Sequence, residues 1–174
     1  MFYQEGASFI FPDAYDKYVE PIPQGERDDL IGAYYRKLTG GDEEEMVRCA
    51  RAWSTWEMST CKLIQDPAKV KEKMESDDGR WAVAFARIEC HFFVHGGWFD
   101  YDGWIMDNLD KIRHIPATVV HGRYDVVCPA KNAWDLHKRW PEAELHIIGN
   151  AGHSATEADI EAKLVEAADR YKEL

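Results

Sequence analysis

The sequence predicts an α/β fold in which a mostly helical region precedes two parallel strands. Residues 117–120 are small or β-branched and have no polar face, as is typical of a strand buried on both sides. Residues 144–148 form a second strand, and each strand is followed by a turn and a helical pattern. Residues 25–97, in contrast, repeat apolar side chains at the three- and four-residue spacing of amphipathic helices. The order strand, helix, strand, helix at the end of the chain favours a parallel pair.

Two helices are predicted in the first part of the helical region. Between residues 26 and 38 the apolar side chains follow a helical spacing, and Gly40-Gly41 ends the pattern. Asp42 is placed to cap a second helix, because glutamates follow it in the first turn, where carboxylates favour the positive end of the helix dipole. An apolar stripe runs through this second helix from Met46 to Leu63.

A third helix is predicted in the second part of the helical region. Residues 66–79 form a polar interval, and residues 81–94 are apolar on nearly every side. We therefore expect the third helix at the centre of the helical region. Gly96-Gly97 ends it, and residues 101–113 form a short connecting helix before the sheet.

Composition and charge exclude several classes of protein. The chain has 174 residues, of which 45% are hydrophobic and 13% aromatic, so it can form a folded core and is not a disordered protein. The net charge of −11 argues against a nucleic acid or an anionic membrane as partner. No apolar run approaches the ~18 residues that span a bilayer, and no signal peptide is visible. The 4 cysteines form no CxxC pair, which predicts reduced thiols in a cytoplasmic protein.

An acidic residue and a histidine follow the two predicted strands. Asp125 lies on the loop after Gly122, Pro129 then opens a helix, and His153 lies at the start of the last helix. Ligands of open α/β sheets bind outside the carboxyl ends of the strands, so we expect both side chains at one edge of the sheet. Their order and separation suit the acid and the base of a Ser, Asp, His triad. From the spacing alone, a turn residue and an ordinary loop histidine remain open alternatives.

Short motifs around Asp125 and His153 are specific enough to indicate a family. They are His121-Gly-Arg-Tyr-Asp125, Ala133-Trp-Asp-Leu-His137, Trp140-Pro-Glu-Ala143 and Gly152-His-Ser154, together with Tyr3-Gln-Glu-Gly-Ala-Ser8. With these motifs, nearly the whole chain resembles the C-terminal part of a proline iminopeptidase (prolyl aminopeptidase), a serine peptidase of the α/β-hydrolase fold. The resemblance implies that Asp125 and His153 are catalytic and that the substrate is a peptide with a free N-terminal proline.

The resemblance also implies a missing N-terminal catalytic segment. In the family, the opening motif lies after the strand and helix that carry the nucleophile, and this sequence contains no Gly-x-Ser-x-Gly turn. We therefore expect a C-terminal fragment, or one chain of a divided protein, that is inactive by itself. Residues 1–24 would lead into a cap domain, residues 25–113 would form this helical cap, and residues 114–174 would form the βαβα part of the catalytic domain.

Two glutamates lie in strongly apolar helical stretches. Burying the carboxylate of Glu57 or Glu89 there is costly unless the charge is paired. An exopeptidase must recognise an ammonium group, and the resemblance implies that both glutamates bind the α-amino group of the substrate. The alternative is a structural ion pair, for example of Glu89 with Arg87 or Arg51. The resemblance also implies that Phe2 contacts the substrate.

Two histidine patterns do not predict a function. His95-Gly-Gly-Trp98 is similar to an oxyanion motif of hydrolases, but it follows a cap helix rather than an early strand, so a glycine helix end is the better interpretation. His91 and His95 are four residues apart on one helix, yet no third ligand is suggested, and we predict no metal site. No phosphate-binding glycine loop or nucleotide motif occurs in the sequence, so we expect no cofactor.

Two other functions stay open at this point. One is a non-catalytic, truncated relative whose cap serves as a binding module, and the other is a hydrolase of another small amide or ester. A two-stranded sheet would also leave a bare edge and an uncovered apolar face. Either a partner segment or a second copy of the chain, in a homo-oligomer, would cover that face.

Overall fold

Helices form the first part of the chain, and a two-stranded sheet with two further helices forms the last part, in the computed structural model, which describes residues 2–76 and 78–172. Met1, Asp77, Glu173 and Leu174, which the predicted segments include, lie outside the described residues. The α-helices are Pro12–Val19 (α1), Leu30–Thr39 (α2), Glu43–Thr60 (α3), Pro67–Glu75 (α4), Arg80–Val94 (α5), Trp104–Asp107 (α6), Ala130–Arg139 (α7) and Ala158–Tyr171 (α8). The strands are Thr118–Gly122 (β1) and Glu144–Ile148 (β2), and 3-10 turns cover Ala7–Phe9, Gln24–Asp29, Gly96–Trp98 and Leu109–Lys111. Among the described residues, no helix is both long enough and apolar enough to cross a membrane.

The chain divides into two compact units. The first, called the helical unit, consists of the chain up to Thr60 together with Gln65–Trp98. The second, called the sheet unit, consists of Cys61–Ile64 and the chain from Phe99 onward. Helices α1 to α5 therefore belong to the helical unit, and both strands with α6, α7 and α8 belong to the sheet unit.

Aspartate side chains start two of the predicted helices. Asp42 accepts a hydrogen bond from the N–H group of Glu45 at 3.0 Å, which confirms the predicted cap of α3. Asp29 accepts a hydrogen bond from the N–H group of Gly32 at 3.0 Å, so α2 begins at Leu30. The residues before Leu30 were predicted as helix and instead form a 3-10 turn, because this cap sets the start of α2 later.

Two helices, α1 and α4, lie where the sequence pattern predicts none. Asp66 accepts hydrogen bonds from the N–H groups of Ala68 (3.1 Å) and Lys69 (3.3 Å), and Pro67 is the first helical residue. An aspartate cap followed by proline is a strong helix start, and it outweighs the polar composition of this interval. Pro12 is likewise the first helical residue of α1.

Large aromatic side chains fill the core of the helical unit. Tyr18, Tyr34, Trp53 and Trp56 are all fully buried. The ring of Tyr18 stacks on that of Tyr34 at a centroid distance of 4.9 Å and meets Trp53 edge-on at 6.1 Å. Both tryptophans lie on α3, which packs against α1, α2 and α5. Because burying a large apolar side chain contributes about 1.5–3 kcal/mol, this cluster is a main source of stability for the unit.

Helix α5 is not at the centre of the helical unit, so that expectation is wrong. Its buried residues are the small ones, Ala82, Ala86 and Cys90. Ile88 and Phe92, in contrast, are 61% and 52% exposed. Small side chains let one face of α5 pack closely on α2 and α3, and the larger apolar side chains of the other face remain at the surface.

The two strands are parallel neighbours, as predicted. Thr118 pairs with Glu144 at one end and Gly122 pairs with Ile148 at the other, so β1 extends two residues beyond the predicted strand. The strands are mostly half-buried rather than fully buried. Within residues 2–76 and 78–172 the sheet has only these two strands, with α7 and α8 packed against them, and this explains the incomplete burial. The predicted α/β class, with helices preceding a parallel pair, is confirmed.

Candidate active site

The two strands end side by side, and each is followed by one of the predicted catalytic residues. The pairing of Gly122 with Ile148 places the C-terminal ends of β1 and β2 next to each other. Asp125 and His153 lie on the loops that come after these ends. The structure brings the two side chains together, since the Nδ1 atom of His153 lies 2.8 Å from the Oδ2 atom of Asp125.

Backbone N–H groups hold the other oxygen of the Asp125 carboxylate. Its Oδ1 atom accepts hydrogen bonds from Val127 (2.9 Å) and Cys128 (2.8 Å), because the loop turns back over the aspartate before α7 begins. The side chain of Asp125 is only 4% exposed, whereas that of His153 is 39% exposed. The carboxylate is therefore fixed in place, and the imidazole can be reached from outside.

The surroundings of Asp125 favour its ionised form. Burial by itself raises the pKa of this carboxyl, but hydrogen bonds from His153 and the Cys128 N–H group, with the charges of His153 and His121, lower the pKa below its usual value. The Nε2 atom of His121 lies 3.4 Å from Oδ2 of Asp125 and 2.7 Å from the carbonyl oxygen of Cys128. An ionised acid at Nδ1 holds a histidine in the tautomer whose Nε2 atom can accept a proton.

Close contact between the two loops requires glycine at the end of β1. A Cβ atom at Gly122 would lie 1.8 Å from the carbonyl oxygen of Gly152, so a larger residue would displace the loop that carries His153. The N–H group of Tyr124 also donates a hydrogen bond to the carbonyl oxygen of Ala151, at 3.0 Å. These contacts hold the aspartate loop and the histidine loop together through their backbones.

The sequence predicts His153 at the start of the last helix, whereas in the structure it lies on the loop that precedes this helix. Helix α8 begins only at Ala158, because hydrogen bonds hold the residues between His153 and Ala158 in an irregular conformation. The N–H groups of His153 and Ser154 both donate to the carbonyl oxygen of Cys61, at 3.0 and 2.8 Å. The segment Cys61–Ile64 thus supports the histidine loop within the sheet unit.

The two predicted amine-binding glutamates belong to one cluster in the helical unit. The hydroxyl group of Tyr3 donates a hydrogen bond to the buried carboxylate of Glu57, and the Tyr3 ring stacks on Trp53 at 4.3 Å. The indole N–H of Trp53 donates to Oε2 of Glu89 at 2.9 Å. Burial, together with the negative charges of Glu57 and Glu89, raises the pKa of Tyr3 far above its usual value, so the hydroxyl remains a donor.

Phe2 belongs to the same aromatic cluster. Its ring stacks on Trp56 at 5.1 Å and meets Tyr3 edge-on at 4.8 Å. Phe93 also contacts Tyr3, at 5.0 Å, and is partly exposed. Aromatic walls with a few polar groups are typical of small-molecule sites. The assignment of Phe2 as a substrate contact stays a prediction, because the same packing serves the core.

His91 and His95 lie in a different aromatic cluster at the end of α5. Their rings are 4.5 Å apart, and the ring of His95 stacks on Trp98 at 5.1 Å. Gly96 and Gly97 have φ angles of 57° and 61°, so they end the helix in the left-handed region, as predicted. In the part of the chain that the structure describes, no group of three or more His, Cys, Asp or Glu side chains is placed to hold a metal ion.

The hydrogen bonds of two residues near the predicted site residues, Tyr3 and Glu157, are not predicted from the sequence. Tyr3 is 54 residues from Glu57, and no local pattern connects them. Glu157 follows Ser154 at the serine-to-glutamate spacing of a helix start, but α8 begins only at Ala158, so this pattern does not predict what the carboxylate contacts. Its carboxylate contacts the loop of His153 through the N–H group of Gly152, at 2.8 Å.

The chain is similar to proteins that are named proline iminopeptidase. It is 53% identical over 170 residues to a probable proline iminopeptidase of Leptolyngbya boryana, covering 98% of this chain and 52% of that protein. It is 48% identical over 174 residues to a proline iminopeptidase of Arabidopsis thaliana, covering 99% of this chain and 45% of that protein. No protein-family model matches the chain. The predicted resemblance is confirmed, and the chain spans about half the length of the curated relatives it matches.

A solved structure is also similar, although weakly. It is an esterase from Exiguobacterium antarcticum with a TM-score of 0.49 and 16% identity, covering 90% of this chain and 55% of that chain.

Proposed function

We propose that this chain, which resembles the proline iminopeptidases, supplies the acid and the base of a serine aminopeptidase that releases N-terminal proline from peptides. It would be the C-terminal part of an α/β-hydrolase whose serine lies on a segment outside these 174 residues. Residues 1–24 would lead into the cap, residues 25–113 would form it, and residues 114–174 would end the catalytic domain. A cytoplasmic location is part of the proposal, and the cysteines are free thiols.

The hydrogen bond between His153 and the anchored carboxylate of Asp125 is the main support for this proposal. The carboxylate contacts Nδ1 at 2.8 Å, which leaves Nε2 as the nitrogen that acts on a serine in triad chemistry. Backbone N–H groups keep Asp125 in one orientation. An ordinary turn aspartate beside an ordinary loop histidine would not need this geometry.

The geometry supports acyl transfer through a serine. As the serine oxygen attacks the carbonyl carbon of the N-terminal proline, His153 would accept the hydroxyl proton at Nε2. Asp125 would remain ionised and would stabilise the imidazolium ion. His153 would then give the proton to the leaving amine as the peptide C–N bond breaks. Water, deprotonated by His153 in the same way, would then attack the acyl carbon, and His153 would return the proton to the serine oxygen as the ester bond breaks and proline leaves.

The helical unit would recognise the substrate's N-terminus. Glu57 and Glu89 both act on Tyr3, so the two negative charges lie within one cluster, and a secondary ammonium ion bound there would gain from both. The surrounding aromatic rings, including that of Phe2, would contact the apolar ring of proline.

A single-chain chimera tests the proposal. This chain replaces the matching part of the Leptolyngbya boryana protein, over 170 residues, so that the remaining half of that relative supplies the missing segment. We expect the chimera to hydrolyse proline p-nitroanilide and this chain alone to be inactive. Activity of this chain alone would overturn the proposal that the nucleophilic serine lies outside it.

Two other results would overturn the proposed peptidase activity. A folded chimera that hydrolyses p-nitrophenyl acetate but not proline p-nitroanilide would indicate a hydrolase of other small esters or amides. A folded chimera without either activity would indicate a non-catalytic role for this chain.

A further inference from the structure

We propose that Glu157 is a positioning residue that fixes the loop carrying His153. The inference rests on the proposed function, since positioning affects catalysis only if His153 is the base. The Oε1 atom of Glu157 accepts a hydrogen bond from the N–H group of Gly152, at 2.8 Å, directly before His153. The Oε2 atom accepts one from the N–H group of Leu63, at 3.0 Å. One carboxylate thus joins the histidine loop to the segment Cys61–Ile64.

The loop is joined to the same segment on the other side of the histidine. The N–H groups of His153 and Ser154 donate to the carbonyl oxygen of Cys61, at 3.0 and 2.8 Å. The N–H group of Glu157 donates to the carbonyl oxygen of Ser154, at 3.1 Å. The backbone is therefore held both before and after His153, and Glu157 takes part on both sides.

Packing leaves the loop little room to move. A Cβ atom at Gly152 would lie 2.8 Å from the nitrogen of Leu63 and 3.0 Å from the carbonyl carbon of Lys62. On its other side, the carbonyl oxygen of Gly152 lies so close to Gly122 that a Cβ atom there would be 1.8 Å away. The loop is enclosed between the end of β1 and the segment Cys61–Ile64, and the carboxylate of Glu157 selects its position.

A carboxylate suits this task better than an amide. Each oxygen accepts one N–H donor, and hydrogen bonds to a charged acceptor are shorter and stronger than those between neutral groups. Glu157 is also the residue directly before α8, where the helix dipole favours a negative charge. A glutamine could accept only one of the two N–H groups, because its NH₂ group would face the other.

Nuclear magnetic resonance on this chain tests the positioning independently of any activity. In Glu157→Ala we expect the amide hydrogens of Gly152 and Leu63 to exchange about tenfold faster or more. We also expect the Nδ1 proton of His153 to shift or broaden as its contact with Asp125 loosens. Glu157→Gln should protect one of the two amides. Wild-type exchange rates and an unchanged Nδ1 proton in Glu157→Ala would overturn the proposal.

Glu161→Ala is the matched control, because Glu161 is an exposed residue in the first turn of the same helix. It removes the same charge near the same helix end without touching the loop. We expect it to leave the exchange rates and the His153 proton as in the wild type. An equal effect of both variants would indicate a helix-dipole effect and would overturn the specific role of Glu157.

Kinetics of the chimera separate positioning from a merely structural role. In Glu157→Ala we expect kcat per folded molecule to fall about tenfold to a hundredfold, with KM nearly unchanged, because a small displacement of the base slows proton transfer. An unchanged kcat would overturn the positioning role. If the wild-type chimera is inactive, the proposed function fails, and the exchange rates in this chain still decide whether Glu157 fixes the loop.

Discussion

Asp125 in the sheet unit and Glu57 in the helical unit are both buried carboxylates; backbone N–H groups donate to the first, and a tyrosine hydroxyl group donates to the second. Asp125 accepts hydrogen bonds from two backbone N–H groups and contacts His153. Glu57 accepts a hydrogen bond from the hydroxyl group of Tyr3. Backbone donors keep their direction as long as the loop is folded, whereas a side-chain donor keeps its direction only while the aromatic core around it stays packed.

The difference indicates how each site depends on its surroundings. A carboxylate held by backbone groups suits an acid that must keep one orientation, and it should be insensitive to changes in a distant core. The carboxylates near Tyr3 depend on the rings of the helical unit, so the recognition of an amine there should depend on both charge and packing.

The largest effect is expected from Asp125→Asn in the chimera. Asparagine keeps the shape but favours the wrong tautomer of His153, so kcat for proline p-nitroanilide should fall about 10⁴-fold. Asp135→Asn, on α7 outside both loops, is the control and should change kcat by less than about twofold. A loss below about tenfold in Asp125→Asn would show that the carboxylate is not part of a triad.

The next largest effect is expected on stability, from Trp53→Ala in this chain. Removal of a fully buried tryptophan should lower the free energy of unfolding of the helical unit by about 3–5 kcal/mol, measured by urea denaturation. Trp134→Ala is the matched control, because Trp134 is 53% exposed in the sheet unit, and it should cost less than about 1 kcal/mol. Equal losses would contradict an aromatic core as the main source of stability.

A smaller effect is expected from Glu89→Gln in the chimera. The loss of one charge should lower kcat/KM for proline p-nitroanilide about tenfold to a hundredfold, because the ammonium ion loses one of its two charged partners. Hydrolysis of p-nitrophenyl acetate, which has no amine, should change much less. Glu72→Gln, at an exposed position of α4, should affect neither substrate. Equal losses on both substrates in Glu89→Gln would rule out amine recognition.

The smallest effect is expected in the pH dependence of stability. The pKa of Asp125 is lowered on folding, so its ionised form stabilises the fold fully above the unfolded value of about 3.9 and less as the pH falls through the folded pKa. The difference in free energy of unfolding between the wild type and Asp125→Asn should therefore shrink as the pH falls from about 5 to values below the unfolded pKa of about 3.9. A constant difference across that range, in urea denaturation of this chain, would contradict the lowered pKa.

The parallel strands and the meeting of Asp125 with His153 could be predicted because both follow from local patterns. Two short apolar runs with turns at fixed places determine where the loops lie. Burial could be predicted less well, since the exposure of Ile88 on α5 depends on which neighbours pack against the helix. The bond between Tyr3 and Glu57 could not be predicted, because the two residues are distant in sequence and meet only through the packing of the helical unit.

The most direct test of the central claim is to locate the nucleophile. The remaining half of the Leptolyngbya boryana relative and this chain are expressed together and treated with a fluorophosphonate, which phosphonylates activated serines, and the intact mass of each polypeptide is measured. We expect one adduct, on the half supplied by the relative, and its loss when this chain carries His153→Ala. An adduct on this chain, or labelling of the relative's half that does not depend on His153, would show that His153 is not the base for a serine outside this chain.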